Sequence, residues 1–256
     1  MDLSGLFSLL EQDPVFHDLA RRLGHEAQVE AEVLGAARPF FLAALFRSLG
    51  RPMLVITGRS ERAKALLEEL QAWGLGEASL FPEPDPLPYE RLAWDVATIQ
   101  GRLKALHAFN DWRPGEPPPL IVASAPAMAR PSPTPDSFSG ACLTLSVGDR
   151  LDLKGFLAKC LSLGYRVVSS VEAPGAVARR GGILDIFPFT AEAPARLELL
   201  GDRIETLRLF HPETQRSMDQ LASVRITPAW EMAPNGAGDE SLTLGDERLK
   251  EELGRL

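Results

Sequence analysis

Residues 178–215, ARRGGILDIFPFTAEAPARLELLGDRIETLRLFHPETQ, decide the reading of this chain. An apolar strand runs from Gly182 to Pro188. Two more, Arg196 to Leu200 and Arg203 to Phe210, flank Gly201-Asp202. A two-residue loop with glycine at its first central position is a hairpin turn, because that position takes a positive φ. The stretch therefore predicts a small antiparallel sheet. Side chains alternate along a strand, so Arg196, Glu198 and Leu200 share one face and Leu197 and Leu199 the other. Arg180 stands just before the 183–187 strand and joins Arg196 if the two strands pair. Arginines with an apolar residue between them suit a protein interface, since a guanidinium offers a fork of donors and is enriched at binding hot spots. The plainer alternative is that they pair with Glu198 or Asp185 on a solvated face, where ion pairs contribute little.

Working outward, 145–163 contains a helix with Phe156, Leu157, Cys160 and Leu161 inward, ended by Gly164 and succeeded by a strand over 165–170. Residues 125–139 are rich in Pro, Ser and Ala and read as a linker. Before them the rhythm is strand, helix, strand, helix, strand: 53–57, a helix opened by Ser60, 78–81, a long helix marked by Leu92, Val96, Ile99, Leu103 and Leu106, and 120–124. That order predicts a parallel α/β sheet. A proline-rich loop, 82–89, lies between. The first fifty residues read as helices, with Asp13-Pro14 opening one and Gly50 closing another that runs from Arg38 to Leu49. The tail from Pro234 is polar. Its short charged helix pattern, 246–253, has nothing to cover it and reads as the start of a further segment cut short.

The chain has 256 residues, 45% of them hydrophobic, and a formal net charge of -8. An acidic balance is the wrong sign for a free-standing nucleic-acid binder. The charge is uneven: 142–228 carries 11 Lys+Arg against 10 Asp+Glu, so the acidity lies elsewhere. Two cysteines and four scattered histidines form no metal-ligand spacing, and no cofactor or metal is expected. No apolar run approaches the ~20 residues of a membrane span, and no signal sequence opens the chain, which reads as cytoplasmic.

One motif is nearly complete. The first strand runs into Gly58-Arg-Ser-Glu-Arg-Ala63-Lys64-Ala65, which fits the frame of a phosphate-binding loop with Gly58 and Lys64 in register. Ala63 replaces the glycine that lets backbone amides approach phosphate, and Ala65 replaces the hydroxyl that would hold magnesium. The favoured reading is an ordinary helix start whose lysine is solvated; Gly58 and Lys64 also fit a degenerate phosphate loop, the relic of a fold that has lost its nucleotide. The alternative is a nucleotide-binding enzyme domain that uses an atypical loop around Lys64.

The run Arg180-Gly-Gly-Ile-Leu-Asp-Ile-Phe-Pro188, with Arg196, Gly201-Asp202 and 210–217, closely resembles the amino-terminal module of the bacterial transcription-repair coupling factors. That module is similar to the excision-repair helicase UvrB. The likeness is strongest over 167–230 and good over 51–124, where Leu87-Pro-Tyr-Glu90 and Gly101-Arg102-Leu103 have the family's look; over the first fifty residues it is loose. The resemblance implies a degenerate RecA-like, P-loop-type parallel sheet domain (1–138) with an inserted smaller α+β domain that binds UvrA (139–229), and 230–256 as the start of another segment. It implies a non-catalytic interaction module that recruits UvrA to stalled RNA polymerase, within a larger ATP-dependent translocase whose polymerase- and DNA-contacting domains lie elsewhere. Arg180 and Arg196 match arginines with which the family contacts UvrA. Leu200 stands where the family typically has an aromatic residue. On this reading, Arg180→Ala or Arg196→Ala is expected to weaken UvrA binding by about 1–4 kcal/mol and leave the fold intact.

Overall fold

The computed structural model describes residues 6–84 and 94–229. The proline-rich loop beyond Pro84, Leu92 and the polar tail lie outside the described residues. The chain divides into two compact units. One is drawn from Met1–Trp94 and Ala105–Arg130, the other from Asp95–Lys104 and Pro131–Leu256.

In the first unit, α1 (Phe7–Glu11), α2 (Pro14–Leu23) and α3 (Arg38–Leu49) precede β1 (Met53–Thr57). Asp13 caps α2 as expected, its carboxylate accepting from the Val15 amide at 2.7 Å, with Pro14 at the first helical position where no donor is needed. Then come α4 (Ser60–Ala72), β2 (Ser79–Phe81), α5 (Val96–Asp111), whose part up to Lys104 falls to the second unit, β3 (Leu120–Ser124) and α6 (Ala125–Met128). The strands form a parallel sheet in the order β1-β3-β2, with Val55 opposite Val122 and Leu80 opposite Val122 on the other side. Parallel pairing demands crossovers, and α4 is one. Its apolar positions Ala63, Leu66 and Leu70 are buried against Leu120, Val122 and the helices α1 to α3. Phe7, Phe40 and Trp73 stack within that cluster. On the sheet's other face Phe81, Ile121 and Ala123 meet Ala105 and Ala127.

The second unit holds α7 (Pro135–Ala141), β4 (Leu143–Ser146), α8 (Leu153–Ser162), β5 (Arg166–Val167), β6 (Ala176–Arg180), β7 (Ile183–Ile186), β8 (Ala195–Leu200), β9 (Arg203–Phe210), β10 (Ser217–Gln220) and β11 (Ser223–Ile226). Six strands make one sheet in the order β10-β9-β8-β7-β6-β5, antiparallel except for the β5–β6 pair; β4 and β11 form a separate antiparallel pair. Mixed α/β character with both parallel and antiparallel sheets is thus established. The inward positions of α8 are Phe156, Leu157 and Cys160, as its spacing predicts, while Leu161 is only partly buried. Burial pushes the Cys160 thiol up to about 12, because a thiolate there would lack water.

Several local expectations are corrected. The supposed linker contains α6 and α7, opened by Ser124 and Thr134, whose hydroxyls accept from the Ala127 and Ser137 amides. Pro and Ser there are helix-start residues and not loop formers. The helix expected within 145–163 is present as α8, while Leu143–Ser146 is a strand, unforeseen, that pairs with β11. Ser60 does not cap α4; Arg59 holds that position without a side-chain bond. The strand over 165–170 shrinks to two residues.

The hairpin at Gly201-Asp202 joins β8 to β9, and Gly201 has φ 67. A Cβ there meets nothing within 4 Å, so the requirement is conformational and not steric crowding. Gly201→Val is expected to lower unfolding stability by about 2 kcal/mol, since a left-handed β-branched residue costs at least the ordinary L-residue penalty. Urea denaturation measures it.

Candidate functional site

Two places in the chain have chemistry worth pursuing: the strand ends of the parallel sheet, and the polar face of the six-stranded sheet.

In open parallel sheets, ligands bind beyond the carboxyl ends of the strands. Gly58 and Lys64 lie there, but the connection from β1 to α4 is only Gly58 and Arg59, and the helix starts at Ser60. The Ala63 amide, which a phosphate loop would aim at its ligand, donates to the Arg59 carbonyl at 3.1 Å as part of the helix. Lys64 is exposed. The strand ends are instead tied by a carboxylate. Ser60 and Ser124 both donate to the same Glu83 carboxylate oxygen, the second at 3.3 Å, and the two hydroxyl oxygens lie 3.1 Å apart. Ser124 is 2% exposed and also accepts from the Ala127 amide. A negative group thus stands at the crevice of the sheet, which opposes an anionic ligand.

The polar face of the larger sheet is set by register. Ala178, Asp185, Arg196 and Arg208 form one cross-strand row over β6 to β9, and Arg180, Ile183, Glu198 and Thr206 form the next. Directly opposed residues share a face, so Arg180 and Arg196 emerge on the same side from strands separated by β7. The alternate rows, with Leu184, Leu197 and Leu207 in one and Ile186 and Ala195 in the other, turn inward. Leu200 ends β8 at 71% exposure, and Ile183 is 37% exposed. The face therefore presents Arg180, Ile183 and Leu200 to solvent.

Arg196 is different. Its side chain is 17% exposed, and its partner Asp185 is 2% exposed. The guanidinium binds the carboxylate in a fork, Nε to Oδ1 at 2.7 Å and Nη2 to Oδ2 at 2.8 Å. Nη2 also donates to Gln215 Oε1 at 3.2 Å, and Nη1 to the Gln215 carbonyl at 3.3 Å. The Phe210 ring lies 4.5 Å from its central carbon, within cation–π range. The Asp185 bond holds the arginine above its ordinary pKa. Of five N–H donors, these bonds leave one, on Nη1. Arg180 is exposed and donates from Nε and Nη2 to the Ser169 carbonyl, at 3.3 and 2.8 Å, which leaves three. Hence Arg180 has the donors to offer a partner, and Arg196 is largely committed within the sheet.

Asp185 is buried although it lies on the polar face, because Val171, Phe187 and Phe210 pack with Ala176 and Ala178 at that end. The Gln215 side-chain amide donates to the Val171 carbonyl at 3.3 Å and to the Pro212 carbonyl at 2.6 Å, linking two loops across the face. The role of Gln215 was not anticipated. Its one sequence signal is a polar turn, His211 to Arg216, after a strand that ends in Phe210. For Asp185, anticipated only as a surface pairing option, the signal of burial was an acidic residue in an otherwise apolar strand.

Among the described residues no group of three His, Cys, Asp or Glu side chains comes together to hold a metal, and no helix is long and apolar enough to cross a membrane.

Residues 143–232 match the UvrB interaction domain family. The match includes β6 to β9 and so the whole polar face. Over a longer span the chain is similar to transcription-repair-coupling factors. It is 34% identical to that of Mycobacterium tuberculosis over 222 residues, 86% of this chain and 18% of the relative. The Bacillus subtilis factor is 30% identical over 214 residues, 82% and 18%, and that of Myxococcus xanthus 32% over 205 residues, 77% and 17%. The chain thus spans less than a fifth of the length of these relatives. The chain itself belongs to the family of the transcription-repair-coupling factors. The family resemblance expected from 178–215 is borne out.

The expectation that Arg196→Ala leaves the fold intact is corrected by the buried ion pair. Removing one partner of such a pair strands the other charge at a cost of about 3–5 kcal/mol. Asp185→Ala is therefore expected to destabilise by about 3 kcal/mol, the low end because Arg196 keeps some water. Arg180→Ala stays within about 0.5 kcal/mol of wild type. Urea unfolding of both variants checks the contrast.

Proposed function

We propose that this chain is a non-catalytic docking module of transcription-coupled DNA repair, and that the polar face of its UvrB interaction domain binds UvrA. The observation that carries this reading is the exposed Arg180–Ile183–Leu200 surface, raised on a rigid sheet inside the segment that matches the UvrB interaction domain. In chemical terms, Arg180 supplies forked donors to a partner carboxylate. Ile183 and Leu200 supply the apolar contact that excludes water around it. Arg196, its charge balanced by Asp185, adds one remaining N–H and shape. Leu200 offers apolar area where the family resemblance implies a ring, so stacking is replaced by plain burial.

The names of the relatives support a role in coupling repair to transcription; engagement of RNA polymerase and DNA, and ATP-driven translocation, are proposed for regions outside this segment. The first unit is proposed as a reduced RecA-like sheet, 1–138, whose nucleotide crevice is occupied by its own carboxylate Glu83. The UvrA-binding domain, 139–229, is proposed as an insertion, a boundary supported by the family match beginning at Leu143.

Titration calorimetry of this chain with the UvrA of the same organism tests the reading. Wild type is expected to bind, and Arg180→Ala to bind about 1–2 kcal/mol more weakly, the range of a hot-spot arginine. Magnesium and ATP are expected to leave the melting temperature unchanged. A folded wild type that does not bind UvrA overturns the proposal.

A further inference from the structure

We propose that Gln215 is a positioning residue of the docking face, locking the Arg196 guanidinium in place before a partner arrives; this rests on the docking reading above. Gln215 has φ 58 and is the one non-glycine among the described residues with a positive φ. Left-handed backbone in a residue with an ordinary side chain is strained, and strain of this kind gathers at functional positions. Backbone bonds close the turn: the Gln215 amide donates to the His211 carbonyl at 2.8 Å, and the His211 amide in turn donates to the Arg216 carbonyl at 2.9 Å. Glycine would serve that turn with less strain. What glycine lacks is the side chain, and the side chain is fully used.

Its Oε1 accepts from Arg196 Nη2 while its Nε2 donates to the carbonyls of Val171 and Pro212. These neighbours allow one orientation of the amide. Flipping it would set an NH2 group against the guanidinium and an oxygen against two carbonyls. The Gln215 carbonyl holds Nη1 as well. Asp185 grips the guanidinium from one side and Gln215 from another, with the Phe210 ring over its central carbon. An arginine so held loses little rotamer freedom on docking, which lowers the entropic cost of association.

Gln215→Gly separates this role from folding. Glycine accepts φ 58 and keeps the carbonyl, but removes the side-chain amide. The expected result is a chain that still unfolds cooperatively, its urea midpoint lowered modestly by loss of the Val171 and Pro212 bonds, with UvrA affinity in calorimetry about tenfold weaker. In the free chain, the Arg196 Nε–H signal in a 15N NMR spectrum is expected to be slowly exchanging in wild type and faster by several-fold in the variant. Gln215→Gly binding within about twofold of wild type overturns the inference, as does unchanged Arg196 exchange. If wild type fails to bind UvrA, the docking reading falls and the NMR comparison alone decides whether Gln215 fixes Arg196. Binding that is lost together with cooperative unfolding also overturns it, since the residue would then be structural.

Discussion

A carboxylate 2% exposed, at the centre of a sheet, is tolerable only with a cation and hydrogen bonds to match. Asp185 gets both from Arg196, and much of the second unit is arranged around that need. The pair joins β7 to β8 across the polar row. It draws the 211–216 turn inward through Gln215, and Gln215 in turn holds the loop at Val171. Phe210 and Val171 then close over the end of the face. A pair this buried is weak evidence for net stability, because desolvation offsets attraction. Its firmer consequence is geometric. The sheet face gains a fixed guanidinium whose charge Asp185 balances, and Arg180, Ile183 and Leu200 are set around it.

The two crevices of the chain contrast in the same physical terms. At the ends of β1, β2 and β3 the chain offers an acidic group, Glu83, tied to Ser60 and Ser124. The loop that would have to wrap a phosphate is reduced to Gly58 and Arg59. On the polar face it offers guanidinium groups beside exposed apolar side chains. The first arrangement disfavours an anion; the second is the one proposed to meet a carboxylate on a protein surface. The overall charge of -8 hides this local inversion.

Much of this was legible in the sequence. Gly201-Asp202 announced its hairpin because only a positive φ suits that turn, and the alternation of 196–200 placed Arg196 and Leu200 on one face. Asp13-Pro14, Gly50 and the apolar run 53–57 marked elements that recur in the structure, since caps and periodicity act locally. What escaped was set by distant partners. β6 went unseen because Ala176 to Arg180 alternates poorly, and it is a strand only because β7 pairs with it. The helices α6 and α7 hid among prolines that start helices as readily as they make loops. Ser60 had the chemistry of a cap, but Glu83 and Ser124, 23 and 64 residues away, claim its hydroxyl. Likewise no local pattern tells that Arg196 spends most of its donors on Asp185 and a glutamine 19 residues later.

The central claim is that the partner meets the polar face of the UvrB interaction domain and not the strand ends of the parallel sheet. Site-specific photo-crosslinking tests it most directly, with a benzophenone side chain placed singly at Leu200 or at Lys64, both exposed. The account predicts a covalent adduct with UvrA from position 200 and none from position 64. An adduct from position 64 with none from position 200 would contradict it.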